Sequence, residues 1–527
     1  MASNAHIERI NWALIGVTVA GLVLAAFLAI SIGNSDYLTL ACLAAFLAFV
    51  AYITYFRKYT WQVALLLCYM GLFFWPVGFR IGPTELTSAL AVLLAVTTAW
   101  QKRSVERVGV LKHGSFSLLR GLLLLWVVYV AFHMWYNIRN PLLPSEFTLK
   151  NALKTYFEAI MPIALLWYFS GNPKEIRLKA NFMRTLAILL LVGVIFNIAI
   201  TCYGILTHHN VVDPDIQYSP AFLIPGINAF ENPFMLRVLG PAAVLFSVTM
   251  LCLGSRLTRV SWTVSVPLLL VGSLGCLFSS GRAAVATAIL LVLAMLLIRK
   301  QIGALLIISV LSVSFVLFIN VFSDWINHSV PVAIARPLQW MLVSKSKEAE
   351  ASIESSSRWR EELFKMSIAE WRSNPRIFWF GRATYGYGVN DYVAQQLLGG
   401  FEAGKESSLR RGATHNLLTD LLVMYGLVGC IFYYCLVLAI IWFLWIAYRS
   451  PTVPSLLKPL GLICLITFAA YPITATIAGE LYSPELMWLL IVFVAALYQY
   501  EPLSSEPKET SAPLPEPMPR PLAELAK

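Results

Sequence analysis

The chain has 527 residues, of which 58% are hydrophobic and only 13% charged, and its formal net charge is +11. A soluble domain is about 45–50% apolar and about 25% charged. With a mean hydropathy of +0.71, the composition excludes a soluble globular enzyme, a disordered chain and a fibrous protein, and it predicts an all-α polytopic membrane protein.

A membrane span takes about 20 apolar residues. Runs of that kind begin near Trp12, Asp36, Trp61, Thr84, Ser117, Thr155, Asn181, Phe234, Ser261, Gly281, Ile302, His415, Ser455 and Pro484. The expectation is about 12–14 transmembrane helices, eleven of them within residues 1–322 and three within residues 415–500. The run from Trp12 to Ile32 is long enough to span and lacks a small-residue cleavage site, so it reads as the first span and not as a cleavable signal. The run from Thr155 to Ser170 is short and contains Pro162. All eight cysteines lie inside apolar runs, which predicts buried small side chains and neither a disulfide framework nor a cysteine metal site.

Lys and Arg in the short loops set the orientation. With a cytoplasmic N-terminus, 18 of them fall in inside loops or inner span ends, against 6 outside: Arg80, Arg139, Lys150, Lys154, Arg237 and Arg282. Without the Thr155 span, Lys174, Arg177 and Lys179 would lie outside, so the bias keeps that span. The positive charge is then a topology signal, and no nucleic-acid partner is expected.

Two segments fall outside the membrane. Residues 323–414 form one long outer loop with 12 basic and 10 acidic residues. Trp359, Leu363, Phe364, Ile368 and Trp371 recur at helical spacing and predict a helix over residues 355–372, ending at Asn374-Pro375. That helix either lies on the membrane surface or packs on the bundle. A Gly-rich turn follows from Gly381 to Gly388. Residues 501–527 hold seven of the 27 prolines and read as a disordered cytoplasmic tail. Structureless loops as long as 323–414 are uncommon and usually functional, so the chemistry is sought on the outer face.

Three ionisable residues on three spans share that face. Arg237 lies one turn into a span that starts after Glu231-Asn232-Pro233. Arg282 opens the next inward-running span in Ser279-Ser280-Gly281-Arg282, and His415 opens another in Thr414-His415-Asn416. A boundary arginine often only reaches to the lipid headgroups, and a lone histidine is more often structural. Against this, both arginines run counter to the outside depletion of cations, and charges within spans usually face a cavity or a partner. Two arginines hold a diphosphate and stabilise its leaving charge; a neutral histidine takes a proton from an attacking hydroxyl. The donors available outside a cytoplasmic membrane are polyprenyl-diphosphate-linked glycans.

Weaker candidates surround these. Asp213-Pro214-Asp215 has cation-binding spacing but sits in a turn-rich loop, and the adjacent His208 and His209 point apart on a helix. Glu85, Glu158 and Glu480 fall near outer span ends, where solvation is their default. Arg358 and Arg382 lie in the long loop, as solvated charges or as substrate contacts.

The segment from Thr414-His415-Asn416 to Gly426-Leu427-Val428-Gly429 resembles the His-Asn…Gly-x-x-Gly segment of the O-antigen ligase and polymerase superfamily. Ser279-Ser280-Gly281-Arg282 is similar to that family's Ser-x-x-Arg hairpin, Glu231-Asn232-Pro233 to its Asn-Pro segment, and Arg358 to Gly388 to its long periplasmic loop. The resemblance covers about residues 220–445, with the motifs in order. It implies a bacterial inner-membrane, inverting glycosyltransferase that uses no metal or other cofactor. By this resemblance His415 is the base and Arg237 and Arg282 bind the diphosphate; Asn416, Arg358 and Arg382 are candidate accessory residues beside them. The donor is a polyprenyl-diphosphate-linked oligo- or polysaccharide, and the acceptor a hydroxyl on a glycan, on lipid A–core or on a protein. The chain departs from the ligases in its longer N-terminal half and Pro-rich tail, which leaves the acceptor open. The alternatives are a lipid-linked oligosaccharide flippase, which predicts internal repeats and midplane charges, and a protein O-oligosaccharyltransferase.

Overall fold

The computed structural model describes residues 57–71, 73–74, 83–98, 109–138, 149–206, 222–224, 227–228, 232–254, 260–279, 282–330, 332–382, 409, 416–478 and 484–504. Residues 1–60 and 61–527 form two compact units; the architecture described is that of the second. The spans expected from Trp12 and Asp36, and most of the tail, lie outside the described residues.

The helices are α1 (Thr60–Met70), α2 (Pro83–Thr98), α3 (Gly114–Ile138), α4 (Leu149–Gly171), α5 (Phe182–Leu206), α6 (Asn232–Leu253), α7 (Trp262–Phe278), α8 (Arg282–Ile298) and α9 (Ile302–Val321). Then come α10 (Ser323–His328), α11 (Val332–Gln339), α12 (Lys347–Arg372), α13 (Pro375–Phe380), α14 (Leu417–Arg449), α15 (Lys458–Ala478) and α16 (Pro484–Ser504). Among the described residues, five helices are long and apolar enough to cross a membrane: those over Gly114–Asn137, Phe182–Tyr203, Met235–Leu253, Ile302–Val321 and Leu417–Arg449. Shorter apolar helices accompany them, and α4 runs unbroken through Pro162. The protein is an all-α membrane protein. Three very short strands, which two- and three-residue patterns do not announce, add one detail. β1 (Phe73–Phe74) and β2 (Phe222–Ile224) both pair antiparallel with β3 (Ile227–Asn228), tying the segment before α6 to the end of α1.

Within a bilayer, lipid tails are as apolar as Leu, so helices associate through close packing and buried polar bonds. The α6–α7 hairpin shows both. Gly240, Gly272 and Gly275 let the two backbones meet, since a Cβ at Gly240 would stand 2.8 Å from the Cys276 nitrogen. Ser247 donates across the same seam to the Ser265 carbonyl. On α5, Asn197 Nδ2 donates to the Tyr69 carbonyl of α1 at 2.6 Å. By contrast, only 6% of α9 is buried within the protein.

Among the described residues, one end of the bundle collects the cations of the short connections. There Arg120 Nε donates to Ser170 Oγ (3.0 Å), Trp61 Nε1 to the Arg177 carbonyl (3.3 Å), and Arg299 Nη1 to Tyr448 Oη (3.4 Å). Lys174, Lys179 and Lys300 lie in the connections at this end. Since α8 and α14 both finish here, Arg282 and Asn416 stand at the opposite end.

Glu175, in the turn between α4 and α5, accepts a hydrogen bond from Tyr168 Oη at 2.7 Å. Burial pushes its carboxyl above the ordinary 4.5, outweighing that bond. The folded protein therefore holds the proton more tightly than the unfolded chain. Glu175 favours folding below its unfolded value, and that contribution is lost as pH rises through its raised value. Glu175→Gln is expected to raise the melting temperature at about pH 8 and leave it unchanged at about pH 4. Thermal melts of purified protein at the two pH values check this.

Candidate functional site

Asn232-Pro233 starts α6, where a missing Pro N–H costs nothing because the first amides of a helix lack partners. One turn on, half-buried Arg237 extends toward the end of α7 and its Nε donates to the Ser279 carbonyl at 3.2 Å. Ser279 is fully buried, and its hydroxyl donates to the Cys276 carbonyl at 2.7 Å, closing the C-terminus of α7. The glycine seam between α6 and α7 makes this reach short. The structure thus joins the Asn-Pro…Arg segment to the start of the Ser-x-x-Arg hairpin. Arg282 is the first residue of α8, three positions beyond Ser279. A guanidinium has five donors in a fixed fork, and the first turn of a helix carries partial positive charge. This end of α6–α8 therefore suits an anion.

His415 lies outside the described residues, as do Asp213, Asp215, His208, His209 and Glu480. Its neighbour Asn416 is the N-cap of α14: Oδ1 accepts from the amides of Leu418 (3.0 Å) and Thr419 (3.4 Å). Asn416 thus starts the helix that follows His415.

The long-loop arginines have separate places. Arg358 lies on the exposed face of α12 and pairs with Glu354 at 2.8 Å, four residues back. The exposed Lys365 pairs in the same way with Glu361 and holds that carboxyl below its usual range. Exposed pairs of this kind add little to stability. Arg382 is buried, pairs with Glu370 at 2.6 Å, and also donates to the Leu409 carbonyl. Its backbone amide donates to the Val423 carbonyl of α14 at 2.9 Å. It acts as a strut between the loop and the bundle.

The expected helix over 355–372 begins earlier, at Lys347, and ends at Arg372. Of its two expected placements, packing on the bundle is the one found. Leu363 and Ser367 are buried, α12 contacts α14, and Trp371 stacks on Phe378 at 4.6 Å. Asn374 caps α13 by accepting from the Arg376 amide at 2.8 Å. α13 ends on Gly381, where φ is 72° and ψ −171°. Gly381 meets α14 at Gly426, whose φ is 69° and ψ −176°. Both conformations belong to a region that is essentially glycine-only. A Cβ on Gly381 would collide with the Met424 carbonyl, and one on Gly426 with the Trp379 carbonyl. The Gly-rich turn and the Gly-x-x-Gly segment, far apart in sequence, thus interlock backbone to backbone.

Sequence reasoning missed a buried polar group beneath this contact. His133 and Asn137, one turn apart on α3, are each only 1% exposed. Tyr156 Oη lies 3.0 Å from His133 Nδ1, and Asn137 Nδ2 lies 3.0 Å from Nε2. From above, Arg376 of α13 donates to Asn137 Oδ1 at 3.5 Å and stacks over Tyr136. The available signal was a histidine and an asparagine at i, i+4 inside an apolar span, since ionisable residues within spans are functional candidates by default.

The class defined by these features is an all-α membrane protein with a polar, arginine-bearing end opposite one whose short connections are rich in cations. Scanned against models of protein families, the chain matches none, and a search of curated proteins likewise finds no match.

Proposed function

We propose that the protein is a membrane glycosyltransferase that moves a polyprenyl-diphosphate-linked oligo- or polysaccharide onto an acceptor hydroxyl at the face opposite its cation-rich end. The observation that carries the reading is the bond from Arg237 to the Ser279 carbonyl, which brings two of the resembling motifs together at one end of the bundle. Cations favour the cytoplasmic side, so the opposite end is the periplasmic face of an inner membrane in this reading.

In the proposed reaction, His415 accepts the proton of the acceptor hydroxyl. The freed oxygen attacks the anomeric carbon from the face opposite the diphosphate. The bond between that carbon and the diphosphate oxygen breaks, and polyprenyl diphosphate leaves with the electron pair. Arg237 and Arg282 meet the charge that develops on the leaving group. Attack opposite the leaving group inverts the anomeric centre.

The test is transfer by purified protein from a lipid-linked donor, with the anchor and anomeric configuration of the product analysed. Product on lipid A–core identifies a ligase, product on a second lipid-linked unit a polymerase, and product on Ser or Thr a protein transferase. Retention of configuration contradicts the mechanism. The rate is expected to be unchanged by a chelator; a loss restored by a divalent cation would favour a metal site at Asp213 and Asp215.

A further inference from the structure

α14 is one helix in its apolar pattern and two in its backbone, divided at Gly426. A break leaves carbonyls of the preceding turn without the amides four residues ahead, and something must take them. Three groups from elsewhere meet the last turn before the break. The Arg382 amide donates to the Val423 carbonyl at 2.9 Å. The His133 ring packs against the Tyr425 ring, with centroids 5.1 Å apart. Tyr129 Oη donates to the Tyr425 carbonyl.

The Tyr129 hydroxyl also lies close to Gly429, where an added Cβ would stand 3.0 Å from it. Residues 425 and 429 would bond directly in an unbroken helix, so the phenol stands in the gap of the ladder. A Cβ on Gly429 would lie 2.7 Å from the Tyr129 ring. The second glycine of the Gly-x-x-Gly segment thus leaves the space that Tyr129 and the Cβ of Tyr425 fill. His133 is itself braced by Tyr156 and Asn137, and Asn137 by Arg376 of α13.

We propose that Tyr129 and His133 are positioning residues: they clamp the broken end of α14 and so fix where the capped segment Asn416–Tyr425 presents the residue before it, His415. The role in transfer rests on the function proposed above, but the clamp does not. Both act through Tyr425 of α14, Tyr129 through its carbonyl and His133 through its ring. A reacting group displaced by about 1 Å loses on the order of a hundredfold in rate, so the clamp acts on turnover and not on donor binding.

The experiment uses the full-length protein in membranes and two readouts. In the first, Tyr129→Phe and His133→Leu are expected to lower kcat about tenfold or more, with KM for the donor within about twofold. His133→Gln keeps a side-chain N–H and is expected to recover most of the rate. In the second, each change is placed in a His415→Cys background. Modification of that cysteine by a membrane-impermeant maleimide is followed by mass spectrometry of its peptide. Tyr129→Phe and His133→Leu are expected to change its rate at least threefold, and His133→Gln to return it toward the parent. Tyr129→Phe is isosteric, so it remains decisive if His133→Leu fails to fold. An unchanged maleimide rate in folded Tyr129→Phe overturns the clamp. If the parent shows no transfer, the functional reading fails while the maleimide arm still decides the clamp.

Discussion

His415→Ala is expected to lower transfer by about 10²–10⁴-fold, the usual contribution of a general base. Arg237→Ala and Arg282→Ala are each expected to cost about 10²–10³-fold, as removal of a preorganised donor to developing charge does. The arginine losses should appear in kcat/KM, with Arg237→Lys recovering little, since an ammonium lacks the planar fork that matches a diphosphate. Arg237 also bonds the Ser279 carbonyl, so each variant must be compared at equal folded protein in the membrane. The combined variants should fall well short of additive losses, because groups acting on one transition state lose their separate value together. Transfer assays with purified variants and a fixed lipid-linked donor measure all of this.

Gly426→Ala is expected to have the largest effect on folding. Its backbone sits at φ 69° and ψ −176°, where a side chain costs about 1–3 kcal/mol. The added methyl would also meet the Trp379 carbonyl and the Phe380 amide. These are backbone atoms that cannot rotate aside, and overpacking typically adds about 1–3 kcal/mol more. Against total stabilities of about 5–15 kcal/mol, the variant should melt many degrees lower or fail to accumulate. Gly381 faces the same contact from the other side, so Gly381→Ala should behave alike, and the double variant should not be the sum of the two. Ser357→Ala, on the exposed face of α12, serves as the neutral control. Thermal unfolding of detergent-purified protein distinguishes these cases.

Much of the helical plan was legible because bilayer-spanning runs are long and apolar. The predicted starts at Ile302 and Pro484 coincide with α9 and α16, and Gly281 lies one residue before α8. The end of α12 was legible from Asn374-Pro375, which breaks helix for steric reasons. Its start was not, because Lys347-Glu-Ala-Glu-Ala carries no apolar periodicity. The break at Gly426 was hidden because apolar residues continue on both sides of it, and composition does not record a backbone torsion. The meeting of Gly381 with Gly426 was equally hidden, since a contact between backbones leaves no side-chain pattern. At the candidate site, the order of the spans made it legible that Arg237 and Arg282 share one end of the bundle, whereas the bond to Ser279 depends on helix packing. For Asn416 the structure adds a role that the motif does not announce, the cap of α14.

The most direct test of the central claim is made in a strain that lacks its own glycan transferase but still makes the lipid-linked donor. Wild-type protein and the His415→Ala variant are expressed at matched membrane levels, and glycan product and donor leaflet are measured together. The account predicts high-molecular-weight glycan with wild type, and with His415→Ala its loss and a build-up of donor on the outer leaflet. Undiminished transfer by His415→Ala, or donor trapped on the cytoplasmic leaflet, would contradict it, the latter result pointing to a flippase.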